Sequence, residues 1–88
     1  MASINQYVAL INDFVNDKIE AKIFERQYFE LFTKDAGQKE EVFLILDWLF
    51  AEADAFEADS NIRNKNHIDE KQLLASARKA LQQLKSLE

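Results

Sequence analysis

Residues 40–62 read EEVFLILDWLFAEADAFEADSNI, and their apolar positions recur with the period of an α-helix. One set follows a +4, +3, +4, +3 spacing and comprises Val42, Leu46, Leu49, Ala53 and Phe56. At about 100° per residue, these side chains share one face of a helix. The stretch therefore predicts a central helix, from about Gln38 to Ala58, that turns an apolar stripe towards a core.

The same stretch concentrates the negative charge of the chain. It holds seven carboxylates and no Lys or Arg, whereas the rest of the sequence has nine acids and 11 bases. On a helix, Glu40, Asp47 and Asp54 lie in line, well round from the apolar stripe. Leu44 and Trp48 are one turn apart and fall beside these acids. The predicted helix thus has a core side, an acidic side and a large aromatic residue near the acids.

The composition limits the possible folds. The 88 residues are enough for a single domain, residues 1–88, with a core of its own. There is no Cys, which excludes disulfides, thiolate nucleophiles and Cys-based zinc sites. One Gly and no Pro leave few turn signals, and this disfavours a fold of many strands.

Hydropathy and charge indicate a location and a class of partner. No apolar run reaches the roughly 20 residues that span a bilayer. The first ten residues, MASINQYVAL, lack the basic start and the cleavage site of a secretory signal. A net charge of -5 argues against binding to nucleic acid or to a membrane and favours a basic protein as partner. We expect a soluble cytoplasmic protein.

Three further helices are predicted along the chain. The first begins at the N-cap candidate Ser3 and ends near Asn16, and the second runs from about Ala21 to Lys34. The last begins near Asp69, whose side chain can cap it. Its apolar residues repeat the +4, +3 spacing of the central helix. Four amphipathic helices with mostly short connections predict an all-α protein, an antiparallel four-helix bundle.

The residue patterns that catalysis or metal binding would need are missing. The single histidine, His67, lies in a polar loop with no Cys in the chain, so we interpret it as a solvated loop residue. The segment from Asp59 to Glu70 resembles a calcium loop in outline, but Arg63 and Asn64 occupy positions that require an oxygen ligand and a Gly. The Glu-x-x-His pairs of di-metal bundles are also absent. We therefore expect no catalytic residue, no metal site and no cofactor.

Two features of the central helix have both a structural and a functional interpretation. Its acids form either a solvated face or a surface that steers a basic partner, and the lack of counter-charges favours the second. Trp48 is either covered by a neighbouring turn or helix, or is an anchor at an interface, where Trp is enriched. Leu44 shares whichever environment Trp48 has.

Three segments carry a family resemblance: FVNDKIEAKIFERQYFELF at 14–32, DWLFAEADAFEAD at 47–59 and HIDEKQLLASARKAL at 67–81. They resemble the colicin D immunity protein family, whose members are also called bacterial self-protective colicin-like immunity proteins. The most specific part is the L-F-x-x-A-D-x-F-E-x-D run from Leu49 to Asp59. The chain departs from the family at Ala58, where a Pro is usual, and at Trp48, where a polar residue is expected.

The resemblance implies a small bundle that binds a nuclease toxin one to one, inhibits it without catalysis and is a monomer when free. Toxins of this type cleave tRNA, and their active sites are basic because they hold phosphates. The toxin is either a colicin-like bacteriocin or the C-terminal domain of a contact-dependent growth inhibition effector. The contact acids of the family match Asp54 and Asp59, with Glu57 between them, which places carboxylates where phosphates would lie.

The predicted partner-binding surface has a centre and a periphery. We expect Asp54, Glu57 and Asp59 at the centre. The peripheral candidates are Asp47, Glu52, Trp48, Asp69 and Glu70. Three alternatives stay open: a helical adaptor or regulatory protein that docks on another basic protein, a carrier with a prosthetic group on Ser60, and a homodimer through Leu44 and Trp48.

Overall fold

The chain folds into four α-helices: α1 (Ile4–Val15), α2 (Ala21–Lys34), α3 (Glu40–Ala55) and α4 (Glu70–Ser86). This is seen in a computed structural model that describes residues 4–35, 37–57, 59, 61–65 and 67–87. Within these ranges, the only β-type pairing is an isolated bridge between Phe56 and Ile68. The prediction of an all-α protein is confirmed. No helix in the described ranges has the length and apolar character needed to cross a membrane.

The helices pack in a ring, with α1 against α2 and α4, and α3 against α2 and α4. Ring contacts show that α1 and α2, and α2 and α3, run antiparallel, and α3 runs antiparallel to α4 because Leu44, early in α3, lies beside Gln83, late in α4. Phe14, late in α1, stacks on Phe24, early in α2, with ring centroids 4.5 Å apart. Phe32, late in α2, stacks on Phe43, early in α3, at 6.0 Å. The antiparallel four-helix bundle is therefore confirmed.

Tyr28 links the aromatic core of α2 to the backbone of α3. Its side chain is fully buried, and its hydroxyl donates a hydrogen bond of 2.7 Å to the carbonyl of Leu46. Burial raises the pKa of Tyr28, and the nearby Tyr7 and Asp47 raise it further. The phenol stays neutral and remains a donor, so the hydrogen-bonding requirement of a buried polar group is met.

Tyr7 and Asp35 join the start of α1 to the end of α2. The ring of Tyr7 is fully buried, while its hydroxyl donates to the Asp35 carboxylate at 2.7 Å. Partial desolvation opposes ionisation of Asp35, but hydrogen bonds from Gln38, the Gly37 N–H and Tyr7 outweigh it and hold its pKa below the usual range. One carboxylate thus fixes both the α2–α3 turn and the α1–α2 contact.

The ends of α1 and α4 show how local sequence sets the helix bounds. Asp17 adopts φ 63°, and the N–H of Lys18 donates to the carbonyl of Asp13 at 2.8 Å, which is the Schellman arrangement that ends α1. Asp69 accepts from the Gln72 N–H at 2.9 Å while the Gln72 side chain accepts from the Asp69 N–H, a full capping box. The predicted cap at Asp69 is confirmed, whereas Ser3, Ala58 and Ser60 lie outside the described residues.

The predicted extent of the central helix was wrong at both ends. Helix α3 begins at Glu40 and ends at Ala55, not at Gln38 and Ala58. The N–H of Ile68 donates to the carbonyl of Ala55 at 2.8 Å, and the Glu57 N–H donates to the carbonyl of Ile68 at 3.0 Å. Because a returning segment takes the last helical carbonyl, the chain leaves the helix with Phe56 extended and buried.

Replacing Tyr7 by Phe should lower the free energy of unfolding by about 1 kcal/mol at pH 7, because the hydrogen bond to a charged acceptor is lost. The pKa of Asp35 is depressed in the folded state, so the stability it supplies is present above its unfolded pKa and lost as pH falls through the folded value. Urea denaturation of wild type and Y7F at pH 7 and pH 2.5 should therefore give a smaller difference at pH 2.5. An equal loss at both values would show that the bond does not depend on the ionised carboxylate.

Candidate functional site

The acids predicted as the centre of the site divide between a helix and a loop. Asp54 is exposed on the last turn of α3, and Asp47 is exposed two turns before it. Glu57 was predicted near the end of the helix and Asp59 in the loop after it, and both lie in the segment between α3 and α4. The position of a loop carboxylate is set by the hydrogen bonds of the loop rather than by helical periodicity.

The loop after α3 is folded by the same two acids. The side chain of Glu57 accepts a hydrogen bond from the Asp59 N–H at 3.0 Å, and the side chain of Asp59 accepts from the Asn61 N–H at 2.9 Å. The guanidinium of Arg63 donates to the backbone carbonyl of Glu57 at 2.9 Å. These local bonds hold the loop near the end of α3, so its carboxylates have a defined position on the surface.

A third acid, which the sequence analysis missed, joins Asp54 and Glu57. Glu25 on α2 is half-buried, and this burial raises its pKa. The negative charges of Asp54 and Glu57 raise the pKa further, while Lys22 opposes the shift. Three elements therefore bring three carboxylates within electrostatic reach of one another. We call Glu25, Asp54 and Glu57 the acidic cluster.

The other predicted acids lie away from this cluster or have structural partners. Glu52 accepts a hydrogen bond of 2.8 Å from the Ser76 hydroxyl, which places it on the side of α3 that faces α4. Asp69 is committed to the cap of α4, and Glu70 is exposed on the first turn of that helix. No observation tests a contact with a partner at these residues, and their peripheral role stays a prediction.

Trp48 and Leu44 have different environments. Trp48 is half-buried against α4, with the ammonium of Lys79 5.4 Å from its ring centroid, within the range of a cation–π interaction. Leu44 is 59% exposed. Together with Ile45, Lys79 and Gln83 they line an open groove of about 290 Å³ between α3 and α4. A neighbouring helix thus covers part of the tryptophan and leaves the leucine in solvent.

His67 takes part in the hydrogen bonding of the loop between α3 and α4. Its Nδ1 accepts a hydrogen bond from the Asn64 N–H at 3.2 Å. In the described part of the chain, no three His, Cys, Asp or Glu side chains are arranged to hold a metal ion. The interpretation of His67 as merely solvated is refined, since it is half-buried and helps to close the loop.

Residues 2–84 match the family of bacterial self-protective colicin-like immunity proteins. The chain belongs to this family. Neither the comparison with curated proteins nor that with solved structures gives a match. The match covers nearly the whole bundle and confirms the resemblance seen in the sequence. The protein is accordingly an immunity protein that binds a cognate toxin, and immunity proteins are generally not enzymes.

The register of α2 on α3 explains why the sequence of this immunity protein did not predict Glu25 as a member of the acidic cluster. The acids of α3 share one helix and could be aligned from periodicity alone. Glu25 joins them only through the register of α2 on α3, which is set by contacts such as Phe29 with Phe50, whose ring centroids are 4.9 Å apart. A signal was present in the position of Glu25 next to the buried Phe24, which predicts a flank position on α2.

Glu25→Gln should stabilise the free immunity protein at neutral pH. The folded-state pKa of Glu25 is raised, so stability is greatest where Glu25 is protonated and falls as pH rises through the folded pKa. Removing its charge should raise the free energy of unfolding at pH 7 by about 0.5 kcal/mol, a small value because the site is partly solvated. Urea denaturation at pH 7 and pH 4 measures the gain, which should shrink at pH 4.

Glu30→Gln is the matched control for this test, because it removes the same charge from an exposed position on α2 outside the cluster. It should give no gain at pH 7. A gain of equal size in both variants would indicate a general effect of net charge, and repulsion within the acidic cluster would then not be its source.

Proposed function

We propose that this immunity protein neutralises a tRNA-cleaving nuclease toxin by covering the basic active site of the toxin with the acidic cluster and Asp59. The observation that carries the proposal is the convergence of carboxylates from α2, α3 and the following loop, where burial and then repulsion from Asp54 and Glu57 raise the pKa of Glu25. A site that binds phosphates presents Lys and Arg side chains. Pairing with these cations would offset the repulsion among the carboxylates of the acidic cluster that is present in the free immunity protein.

The mechanism is occlusion with charge complementarity. Carboxylates of the cluster take the positions of RNA phosphates and form charge-assisted hydrogen bonds with Lys and Arg side chains of the toxin. Such contacts raise the association rate and disfavour wrong partners. The immunity protein acts as a monomer in the cytoplasm, forms a complex of one copy with one toxin domain, and needs neither a cofactor nor a catalytic residue.

The hydrogen bonds of the loop support this mechanism. Glu57 and Asp59 each accept a backbone N–H through one oxygen, which orients the carboxylate before any partner arrives. Ordering a flexible segment costs binding free energy, and a loop that is already held avoids part of that cost. The acids that form the local structure are also the acids proposed to meet the toxin.

The double variant Asp54→Lys/Asp59→Lys should abolish inhibition and leave the helix content unchanged. Reversing two charges beside buried cations should weaken binding by at least about 100-fold, since disrupted charge pairs at interfaces cost about 2–5 kcal/mol. The toxin is first recovered from the producing bacterium with the immunity protein as bait. Binding is then measured by titration calorimetry and protection by a tRNA cleavage assay.

Asp13→Lys/Glu30→Lys provides the matched control, with the same change in net charge on α1 and α2. It should still bind and protect, although more weakly at low salt because long-range attraction is reduced. Protection that survives in the Asp54→Lys/Asp59→Lys variant would remove these acids from the site.

A further inference from the structure

Helix α3 has a second line of apolar residues away from its buried stripe, in which Trp48 also packs against the edge of the core. Leu44, Trp48, Ala51 and Ala55 follow a +4, +3, +4 spacing, parallel to the buried stripe that begins at Val42. Leu44 and Ala51 are exposed, whereas Trp48 and Ala55 are half-buried. A surface helix needs one apolar stripe to pack on its bundle. We call the second one the outer stripe, and its leucine remains 59% exposed at the side of the groove between α3 and α4.

Carboxylates border the outer stripe along one edge. Glu40, Asp47 and Asp54 are exposed and follow each other at seven-residue intervals on α3. Asp54 also belongs to the acidic cluster, so the apolar and the acidic surfaces meet without a gap. The opposite edge is the groove towards α4, where Lys79 lies over the ring of Trp48. The surface is therefore apolar along its middle and negative along one side, and the exposed Glu41 adds one carboxylate on the other side at the start of α3.

A second copy of the chain fits this surface poorly. In a twofold pair with antiparallel α3 helices, each line of carboxylates would face the same line of its partner. In a pair with parallel helices, the large Trp48 would meet its own copy, and one Lys79 would oppose three carboxylates. Each copy also has a net charge of -5. Charge complementarity instead requires a positive protein surface that offers an apolar side chain.

We infer that the outer stripe is a second contact with the toxin, in which a large apolar side chain of the toxin enters the groove beside Leu44 and Trp48 while basic side chains pair with Glu40 and Asp47. This inference rests on the proposed function, because it extends the contact at the acidic cluster along α3. A partly covered Trp beside an open groove has the character of an interface hot spot. The contact distinguishes the cognate toxin from other basic nucleases, which the acids alone would also attract.

The two contacts should have different kinetic effects. Reversing acids changes the association rate and its dependence on salt, whereas filling or removing an apolar contact mainly changes the dissociation rate. Leu44→Gln/Ala51→Gln alters the outer stripe without changing charge and uses residues of good helix propensity. Ala9→Gln/Ala75→Gln is the control, with two exposed positions on α1 and α4. Urea denaturation verifies that both variants are folded.

The test is surface plasmon resonance with the recovered toxin domain at 50 and 300 mM salt. Leu44→Gln/Ala51→Gln should bind at least 10-fold more weakly through faster dissociation, with the salt dependence of wild type, while the control stays within twofold.

Unchanged affinity in this variant, with binding lost in Asp54→Lys/Asp59→Lys, would overturn the inference and leave the proposed function intact. Normal binding by both variants would overturn the two together. A stable dimer of the free protein in light scattering, lost in Leu44→Gln/Ala51→Gln, would show that the stripe binds a second copy instead.

Discussion

Two hydrogen bonds that join the end of α3 and the residue after its cap to the far end of the α3–α4 connection determine the shape of this end of the bundle. The N–H of Ile68 reaches the carbonyl of Ala55, and the N–H of Glu57 reaches the carbonyl of Ile68. They stop α3 with Phe56 buried, and they bring Ile68 and the adjoining cap of α4, Asp69, to the end of α3. Glu57 is turned out of the helix by the same bonds and joins Asp54 and Glu25. The same two hydrogen bonds therefore end α3 and set the position of Glu57.

Aromatic packing between α2 and α3 positions the remaining member of the acidic cluster, Glu25. Phe29 and Phe32 on α2 both contact Phe50 on α3, with ring centroids 4.9 and 4.8 Å apart. Such pairs add to the stability given by burial and fix how the two helices slide against each other. The register they set brings Glu25 beside Asp54. Repulsion among the carboxylates is tolerated because this packing resists the separation of the helices.

The fold could be predicted from the sequence because it depends on helical periodicity. The residues of the candidate site could be predicted only in part, because their positions depend on contacts between distant parts of the chain. The bounds of α2 and the cap at Asp69 follow from local residues and were correct. The end of α3 was misplaced, since its termination depends on Ile68, twelve or more residues away, and no Gly or Pro marks it. The position of Glu25 beside Asp54 could not be predicted, because it depends on how α2 packs on α3. Whether Trp48 is covered depends on where Lys79 lies across the bundle.

The bridge between Phe56 and Ile68 closes the intervening segment at its neck. Within the segment, the side chain of Asp59 accepts from the Asn61 N–H, and the side chain of His67 accepts from the Asn64 N–H. Loops of this kind accept substitutions and insertions more readily than the helices they connect. A segment that is closed at its neck in this way can change in sequence separately from the four helices. Substitutions within it leave the packed core of the bundle as it is.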